Sequence, residues 1–296
     1  MINEQLIQLI GNTPLINLNI PKGIVLAKME TNNLTGSIKD RMALFMLKKA
    51  ESQNQLKPEG TIITATTGNT GIAFAALAKI FNYKMIAVMP KGQSIERIKM
   101  LRAYNAQVIL TPKSQGVMGT IIKRDLIAKT IPNSFVPNQF NNPNNIQAHF
   151  KTTGPEIIKQ LNQKIDYLVH GVGTGGTLMG VGKYLKKYFP NLIIVAVEPS
   201  ESAVLSGHKA GEHNIQGIGE GFIPPLVDQK LIDIVIRVST KEAINESKKL
   251  ANKGLLMGYS SGANISAIKK LIKTTNSLKT YLTIFADRGE RYLEKP

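Results

Sequence analysis

Short apolar runs with strand character alternate along most of the chain with longer segments of helical period. Residues 24–29 form one such run, and the next segment, 39–50, repeats its apolar side chains at helical spacing. Further strands are predicted at 61–64, 84–89 and 107–111, with helices from the turn at 66–71 through residue 81 and over 94–104. This alternation predicts an α/β fold in which helices cover a mainly parallel sheet.

A polar stretch at 141–145, Asn-Asn-Pro-Asn-Asn, interrupts this series and predicts a boundary between two lobes. A second α/β series follows it. Strands are predicted at 166–172, 193–197, 232–238 and 281–285, and a helix at 178–189. Ser239 and Glu242 have the spacing of a capping box, and Gly254 is predicted to end the helix that they begin.

The net charge of +17, from 37 basic and 20 acidic residues, is compatible with nucleic-acid binding. However, the lysines are scattered, no run of five like charges occurs, and no aromatic residues are interleaved with them. We therefore expect a lysine-rich surface and no nucleic-acid partner, while salt-dependent nucleic-acid binding remains the non-enzyme alternative. The chain has no cysteine, which excludes disulfides, thiolate metal sites and a cysteine nucleophile, and no metal site is expected.

Neither the start of the chain nor its longest apolar segment has the features of a membrane or secretory segment. The first five residues carry no basic region followed by a long apolar stretch. The apolar segment at 72–81 contains Lys79 and is too short to cross a bilayer. We expect a cytoplasmic protein with no membrane partner.

A glycine-rich turn lies between a predicted strand and a predicted helix. Residues 171–176 match the pattern G-x-G-x-x-G, and Glu198 ends the next strand, 22 residues after Gly176, as in dinucleotide-binding proteins. Glycine backbone and a helix N-terminus bind other phosphates equally well, and Thr174 and Thr177 add hydroxyl donors suited to a phosphate monoester. The turn therefore predicts a phosphate site without identifying its ligand.

Three other segments carry candidate chemistry. Lys39 begins a largely apolar helix, and taken alone it is best interpreted as a solvated lysine beside Asp40; a desolvated lysine there would instead have a lowered pKa and could form a Schiff base with an aldehyde. The turn at 66–71 combines hydroxyls, an amide and two glycines, which is typical either of an ordinary helix N-cap or of a pocket for a carboxylate. The segment 258–263 is a turn of the same kind.

Taken together and in this order, these four segments resemble the cysteine synthases (O-acetylserine sulfhydrylases) and their cystathionine β-synthase relatives. These are pyridoxal-phosphate enzymes of fold type II. The resemblance extends from residues 10–15, Ile-Gly-Asn-Thr-Pro-Leu, to residues 287–293, Asp-Arg-Gly-Glu-Arg-Tyr-Leu. It implies two α/β domains, each a mainly parallel twisted sheet covered by helices. The smaller N-terminal domain would comprise 35–142 with 1–10, and the larger, cofactor-phosphate-binding domain 143–296 with 11–34 crossing over.

The resemblance also implies roles for individual residues. Lys39 matches the catalytic Schiff-base lysine, Asn69 the partner of the cofactor's 3′-oxygen, and Ser260 the hydroxyl at the pyridine nitrogen. The phosphate would be held by Gly173, Thr174, Gly175, Gly176 and Thr177. The substrate would be held by Thr66, Thr67, Gly68, Thr70 and Gln139, with Gly219 and Glu220 at the mouth of the site. Glu220 departs from the small or aromatic residue usual in the family.

The resemblance implies a β-replacement that forms L-cysteine from O-acetyl-L-serine and sulfide through an α-aminoacrylate. Synthesis of cystathionine or lanthionine, and conversion of cysteine to serine with release of sulfide, remain alternatives within the family. An NAD-dependent dehydrogenase remains a remote alternative. The expected partners are the amino-acid substrate, sulfide or a thiol, a second copy of the chain in a homodimer, and serine acetyltransferase.

Overall fold

A computed structural model describes residues 2–92 and 94–293, and within them the strands form two sheets. The strands are β1 (Leu15–Asn17), β2 (Ile24–Met29), β3 (Thr61–Ala65), β4 (Lys84–Pro90), β5 (Gln107–Thr111), β6 (Ser134–Phe135), β7 (Tyr167–Gly171), β8 (Ile193–Pro199), β9 (Ile234–Val238) and β10 (Thr280–Phe285). The larger sheet has the order β1-β2-β10-β7-β8-β9 and the smaller has the order β5-β4-β3-β6. Only the β1–β2 pairing is antiparallel. The predicted α/β class with mainly parallel sheets is confirmed.

Helices cover both sheets. They are α1 (Ile2–Gln8), α2 (Lys39–Ser52), α3 (Asn69–Ile80), α4 (Ile95–Ala103), α5 (Gly116–Thr130), α6 (Asn144–Ala148), α7 (Gly154–Gln160), α8 (Gly176–Leu185), α9 (Thr240–Ala251) and α10 (Tyr259–Thr274). A π-helical turn, His149–Thr153, joins α6 to α7. No helix of these residues is long and apolar enough to cross a membrane.

The central strands are apolar because both of their faces are covered. Every residue of β3 and of β10 is buried, which is the pattern of parallel strands between two helical layers. Helix α3 is rich in alanine and almost wholly buried, so that its backbone packs closely against α2. Each sheet therefore has an apolar core of its own, and polar turns follow the carboxyl ends of its strands.

The predicted elements agree with the structure in most places. The strands at 24–29 and 107–111 have the predicted bounds, and the capping box of α9 is present. The predicted helix at 178–189 begins earlier and ends sooner, as α8, and the predicted strand at 232–238 begins at Ile234 because a 3₁₀ turn precedes it. The prediction did not include β1, β6, α1, α5, α6 or α7.

The division into domains stays a prediction. All strands of the smaller sheet fall within the predicted domain 35–142, and all strands of the larger sheet fall outside it. The predicted boundary at 141–145 is not a simple linker, since α6 begins at Asn144 within it. Met1, Gln93 and residues 294–296 of the predicted domains lie outside the described residues.

Candidate active site

A cleft of about 520 Å³, counting its open side, lies at the carboxyl end of β7 between the two sheets. Seven of the eight residues predicted to bind a cofactor line it. They are Lys39, Asn69, Gly173, Thr174, Gly175, Thr177 and Ser260. The eighth, Gly176, packs behind the turn, where a β-carbon would lie 2.1 Å from Asn145 Oδ1. The cleft is called the cofactor cavity below.

A second cavity of about 440 Å³, again counting its open side, adjoins the first and shares Lys39, Asn69, Thr174 and Gly217 with it. Six residues predicted to bind substrate line it, namely Thr66, Thr67, Gly68, Thr70, Gln139 and Glu220. Gly219 does not line it; its carbonyl oxygen accepts a hydrogen bond from His213 Nε2 (2.8 Å), and its N–H donates to Val172 O (3.0 Å). This space is called the substrate cavity below.

Lys39 lies where the two cavities meet, at the first residue of α2. Burial lowers the pKa of its ammonium, and the nearby carboxylates of Glu220 and Asp287 oppose that shift. The ring of His170, which also lines the cofactor cavity, is neutral because burial and the charge of Lys39 lower its pKa to about 3. The lowered pKa brings Lys39 closer to its neutral amine form, in which it can act as a nucleophile or as a base.

The glycine turn before α8 suits an anion. A β-carbon on Gly173 would lie 2.3 Å from Gly217 O, so only glycine permits this approach of the two backbones. Gly175 has φ +85°, which favours glycine. The N–H groups of the first turn of α8 have no partners within the helix, and Thr174 and Thr177 add hydroxyls beside them.

Two residues behind this turn were missed by the sequence analysis. Asn145 Nδ2 donates to Thr174 Oγ1 (2.9 Å) and to Gln139 O (2.8 Å). His149 lies with Nε2 3.3 Å from Thr177 Oγ1 and Nδ1 3.0 Å from Thr153 Oγ1. Burial, with nearby positive charge, lowers the pKa of His149 well below its usual value, so that the ring is neutral. Neither residue belongs to a recognisable motif. Asn145 lies in the polar stretch predicted as a boundary, and His149 is a single histidine outside the segments that carry candidate chemistry.

The side-chain amide of Asn69 is held in one orientation. Its Nδ2 donates to Asp287 Oδ2 (2.7 Å), and its Oδ1 accepts a hydrogen bond from Arg291 Nη1. Asp287 Oδ2 also accepts from Tyr292 (2.5 Å), whereas its buried Oδ1 has no hydrogen-bond partner among the described residues. The second hydrogen of the Asn69 amide is therefore available to a ligand.

The turn before α3 uses part of its polar content internally. Thr66 Oγ1 accepts from the N–H groups of Gly68 (3.1 Å) and Gly71 (3.0 Å), so this hydroxyl caps the helix. Thr70 donates to Gln139 Oε1 (2.6 Å), which joins two of the predicted substrate residues. The hydroxyl of Thr67 and the first N–H groups of α3 remain for a bound carboxylate.

Glu198, the acid of the dinucleotide alternative, lines neither cavity. It is buried, and its carboxylate accepts hydrogen bonds from the N–H groups of Leu205 (2.8 Å) and Ser206 (3.0 Å) and from the Ser206 hydroxyl. A carboxylate so fully used within its own loop is not available to a ribose. The phosphate alternative is the one that the geometry favours.

Comparison with known proteins agrees with this geometry. A sequence model of the pyridoxal-phosphate dependent enzymes matches residues 6–287. Cysteine synthase B of Campylobacter jejuni is 44% identical over 292 residues, which cover 99% of this chain and 97% of that protein.

Solved structures agree as well. A hydrogen sulfide-producing enzyme from Fusobacterium nucleatum has a TM-score of 0.93 at 42% identity, over 99% of this chain and 90% of that one. The O-acetylserine dependent cystathionine beta-synthase from Helicobacter pylori has a TM-score of 0.92 at 38% identity, over 98% and 97% of the two chains. The chain belongs to the pyridoxal-phosphate-dependent enzymes, in their cysteine synthase family.

Proposed function

We propose that this chain forms L-cysteine from O-acetyl-L-serine and sulfide, with pyridoxal 5′-phosphate held in the cofactor cavity. The observation that carries the proposal is the position of Lys39. A lysine of lowered pKa stands where a cavity suited to a phosphate adjoins a cavity suited to an amino-acid carboxylate. The similarity to a cysteine synthase over nearly the whole chain supports the same reaction.

The donor set of the cofactor cavity fits this group. Lys39 would bind its carbonyl carbon, the turn of Gly173–Thr177 its phosphate, and the free hydrogen of the Asn69 amide its ring oxygen. Ser260, in the first turn of α10, would accept or donate a hydrogen bond at the pyridine nitrogen. When bound, the cofactor supplies an electron sink that stabilises negative charge at the substrate's α-carbon.

The protein's own residues would position the substrate and move its proton. Thr67, Thr70 and Gln139 line the substrate cavity and would hold the carboxylate. Lys39, as a free amine, would take the proton from the α-carbon. The hydroxyl of Ser260 is neutral, so it does not keep a proton on the pyridine nitrogen as a carboxylate would. This favours prompt loss of the β-substituent, which is the first half of a β-replacement.

One observation favours a second activity, conversion of cysteine to serine with release of sulfide. Glu220 lines the substrate cavity, and burial raises the pKa of its carboxyl, although Lys39 and His213 oppose the shift. A carboxylate there can deprotonate water or a thiol, while it repels hydrosulfide. A relative of known structure is named as hydrogen sulfide-producing.

The experiment is to incubate the cofactor-loaded protein with three substrate sets: O-acetyl-L-serine and sulfide, O-acetyl-L-serine and homocysteine, and L-cysteine alone. We expect the highest kcat/KM for cysteine formation from O-acetyl-L-serine and sulfide. Faster release of sulfide from L-cysteine would assign the second activity instead. If neither O-acetyl-L-serine nor L-cysteine reacts, both proposed activities are contradicted.

We further propose a cytoplasmic homodimer divided into the two domains predicted above, with serine acetyltransferase as a partner. Helix α5 supports a self-interface because Met118, Ile122 and Leu126, spaced four residues apart, are all exposed. Light scattering tests this, since a monomer of 32.4 kDa would contradict it. Mixing with serine acetyltransferase followed by size exclusion tests the partner.

A further inference from the structure

Arg97 is a buried cation at the edge of the substrate cavity for which the reaction described above has no use. It projects from α4, is 3% exposed, and lines the cavity together with the turn before α3. Its Nη1 donates to Thr67 O (2.9 Å). A β-carbon on Gly68 would lie 2.8 Å from its Cζ, so the guanidinium lies directly against the turn.

No carboxylate of the described residues forms an ion pair with this guanidinium. Its buried Nε atom has no hydrogen-bond acceptor among the described residues. The ring of Tyr292, 5.3 Å from Cζ, is a favourable but weak neighbour. Burial of an unpaired charge is costly unless something compensates it.

The charges of the substrate cavity call for an anion. The other basic and acidic side chains that line it among the described residues are Lys39, which would be bonded to the cofactor in the loaded protein, and Glu220, which forms no ion pair with Arg97. Arginine remains charged at every accessible pH, whereas the neutral hydroxyls and amides of the turn carry no net charge. A ligand with a negative charge at the turn would supply the counter-charge that Arg97 lacks among the described residues.

We propose that Arg97 is the charge partner of the substrate's α-carboxylate, which makes the site selective for amino acids over their neutral amides. This rests on the proposed function, because the turn before α3 must be the place where the carboxylate binds. Arg97 would act through that turn, as a positioning residue, by fixing the Thr67 carbonyl and supplying positive charge behind the turn. If Arg97 only held the turn in place, it would not affect the preference for a charged carboxylate over a neutral amide.

The test is the binding of L-alanine and of L-alaninamide, neither of which has a leaving group, to the cofactor-loaded protein. Binding is measured by calorimetry and by the change in visible absorbance. We expect the wild type to prefer L-alanine, and Arg97→Gln to weaken L-alanine by about tenfold or more while leaving L-alaninamide within about twofold. Arg97→Lys keeps the charge without the planar fork and should retain part of the preference.

The matched control is Arg102→Gln, which removes the same charge from an exposed position on the same helix and should change neither affinity. Equal weakening of both ligands by Arg97→Gln would show a structural brace and overturn the inference, as would no weakening at all. If Arg97→Gln does not fold, Arg97→Lys decides by the same comparison. A wild-type protein that binds neither ligand would overturn the proposed function itself, and the inference with it.

Discussion

At the scale of single residues, Thr177 is the most direct test of how the phosphate is held. Thr177→Ala removes one hydroxyl that would donate a charge-assisted hydrogen bond, worth about 1.5–3 kcal/mol. We therefore expect the cofactor Kd to rise by about tenfold to a hundredfold. Thr177→Ser keeps the hydroxyl and is the control. An unchanged Kd, measured by titration of the cofactor-free protein, would mean that other groups hold the phosphate.

Glu220 tests which nucleophile the site accepts. We expect Glu220→Gln to leave kcat/KM for sulfide unchanged or higher, because a repulsive charge is removed. The same variant should lower kcat/KM for homocysteine and the rate of hydrolysis by water, since both nucleophiles need a base. Steady-state rates with the three nucleophiles measure this, and Glu212→Gln, at an exposed position on the same loop, is the control. Equal proportional changes for all three would remove Glu220 from the chemistry.

Most of the site residues that sequence reasoning identified stand in short glycine- and threonine-rich turns, whereas Gln139 was identified only from the family resemblance. Such turns can be recognised in the sequence because this composition at a strand-to-helix junction is typical of an anion-binding turn. Asn145, His149 and Arg97 were missed since each acts on a turn that is distant in sequence. Their contacts exist only after the chain has folded, and no local pattern marks them.

At the scale of elements, the N-terminus of α9 gives a clean prediction. Ser239 Oγ accepts from the N–H of Glu242 (3.2 Å), and Glu242 Oε2 accepts from the N–H of Ser239 (2.7 Å). Ser239→Ala should lower the free energy of unfolding by about 1 kcal/mol, with no effect on cofactor affinity because α9 lines neither cavity. Denaturant unfolding measures the loss, and Ser239→Asp should restore it. A cofactor affinity that falls with Ser239→Ala would contradict this separation.

The elements that prediction recovered are those whose burial matches their composition. The strand at 24–29 is mostly apolar, and five of its six residues are buried. Helix α5 was missed because Met118, Ile122 and Leu126 face outwards, so that its apolar side chains do not form one inward face. Strand β1 was missed because its three residues, all half-exposed or exposed, are too few to show a periodic pattern. The strand is defined by its pairing with β2.

At the scale of the whole molecule, a network of charges joins the larger sheet to the helix that begins at Lys39. Glu156 in α7 pairs with Lys28 in β2 (2.9 Å) and with Arg41 in α2 (2.6 Å), and Arg41 pairs with Glu30 (2.6 Å). Burial alone would raise the pKa of Glu156, but hydrogen bonds from Arg41 and its charge lower it to about 2. The network therefore fixes α2 relative to the sheet.

This network predicts a dependence of stability on pH. Because the folded-state pKa of Glu156 lies below its unfolded value, its contribution is complete above about pH 4.5 and is lost as the pH falls towards 2. Glu156→Gln should lower the free energy of unfolding by about 3 kcal/mol at pH 7, since it removes the carboxylate partner of buried Lys28 and leaves Arg41 paired with Glu30 alone. The difference from the wild type should shrink below pH 4.5.

Denaturant unfolding of the wild type and of Glu156→Gln between pH 3 and 7 measures this, with Glu4→Gln, at an exposed position of α1, as the control. A difference that does not vary with pH would show that the ionised carboxylate contributes nothing beyond packing.

The central claim, that Lys39 carries the cofactor between the two cavities, is tested most directly by reducing the loaded protein with borohydride and mapping the modified peptide by mass spectrometry. We expect one cofactor per chain, attached to Lys39, and no attachment in Lys39→Ala under the same conditions. Attachment to another lysine in the wild type, or an undiminished yield in Lys39→Ala, would contradict it.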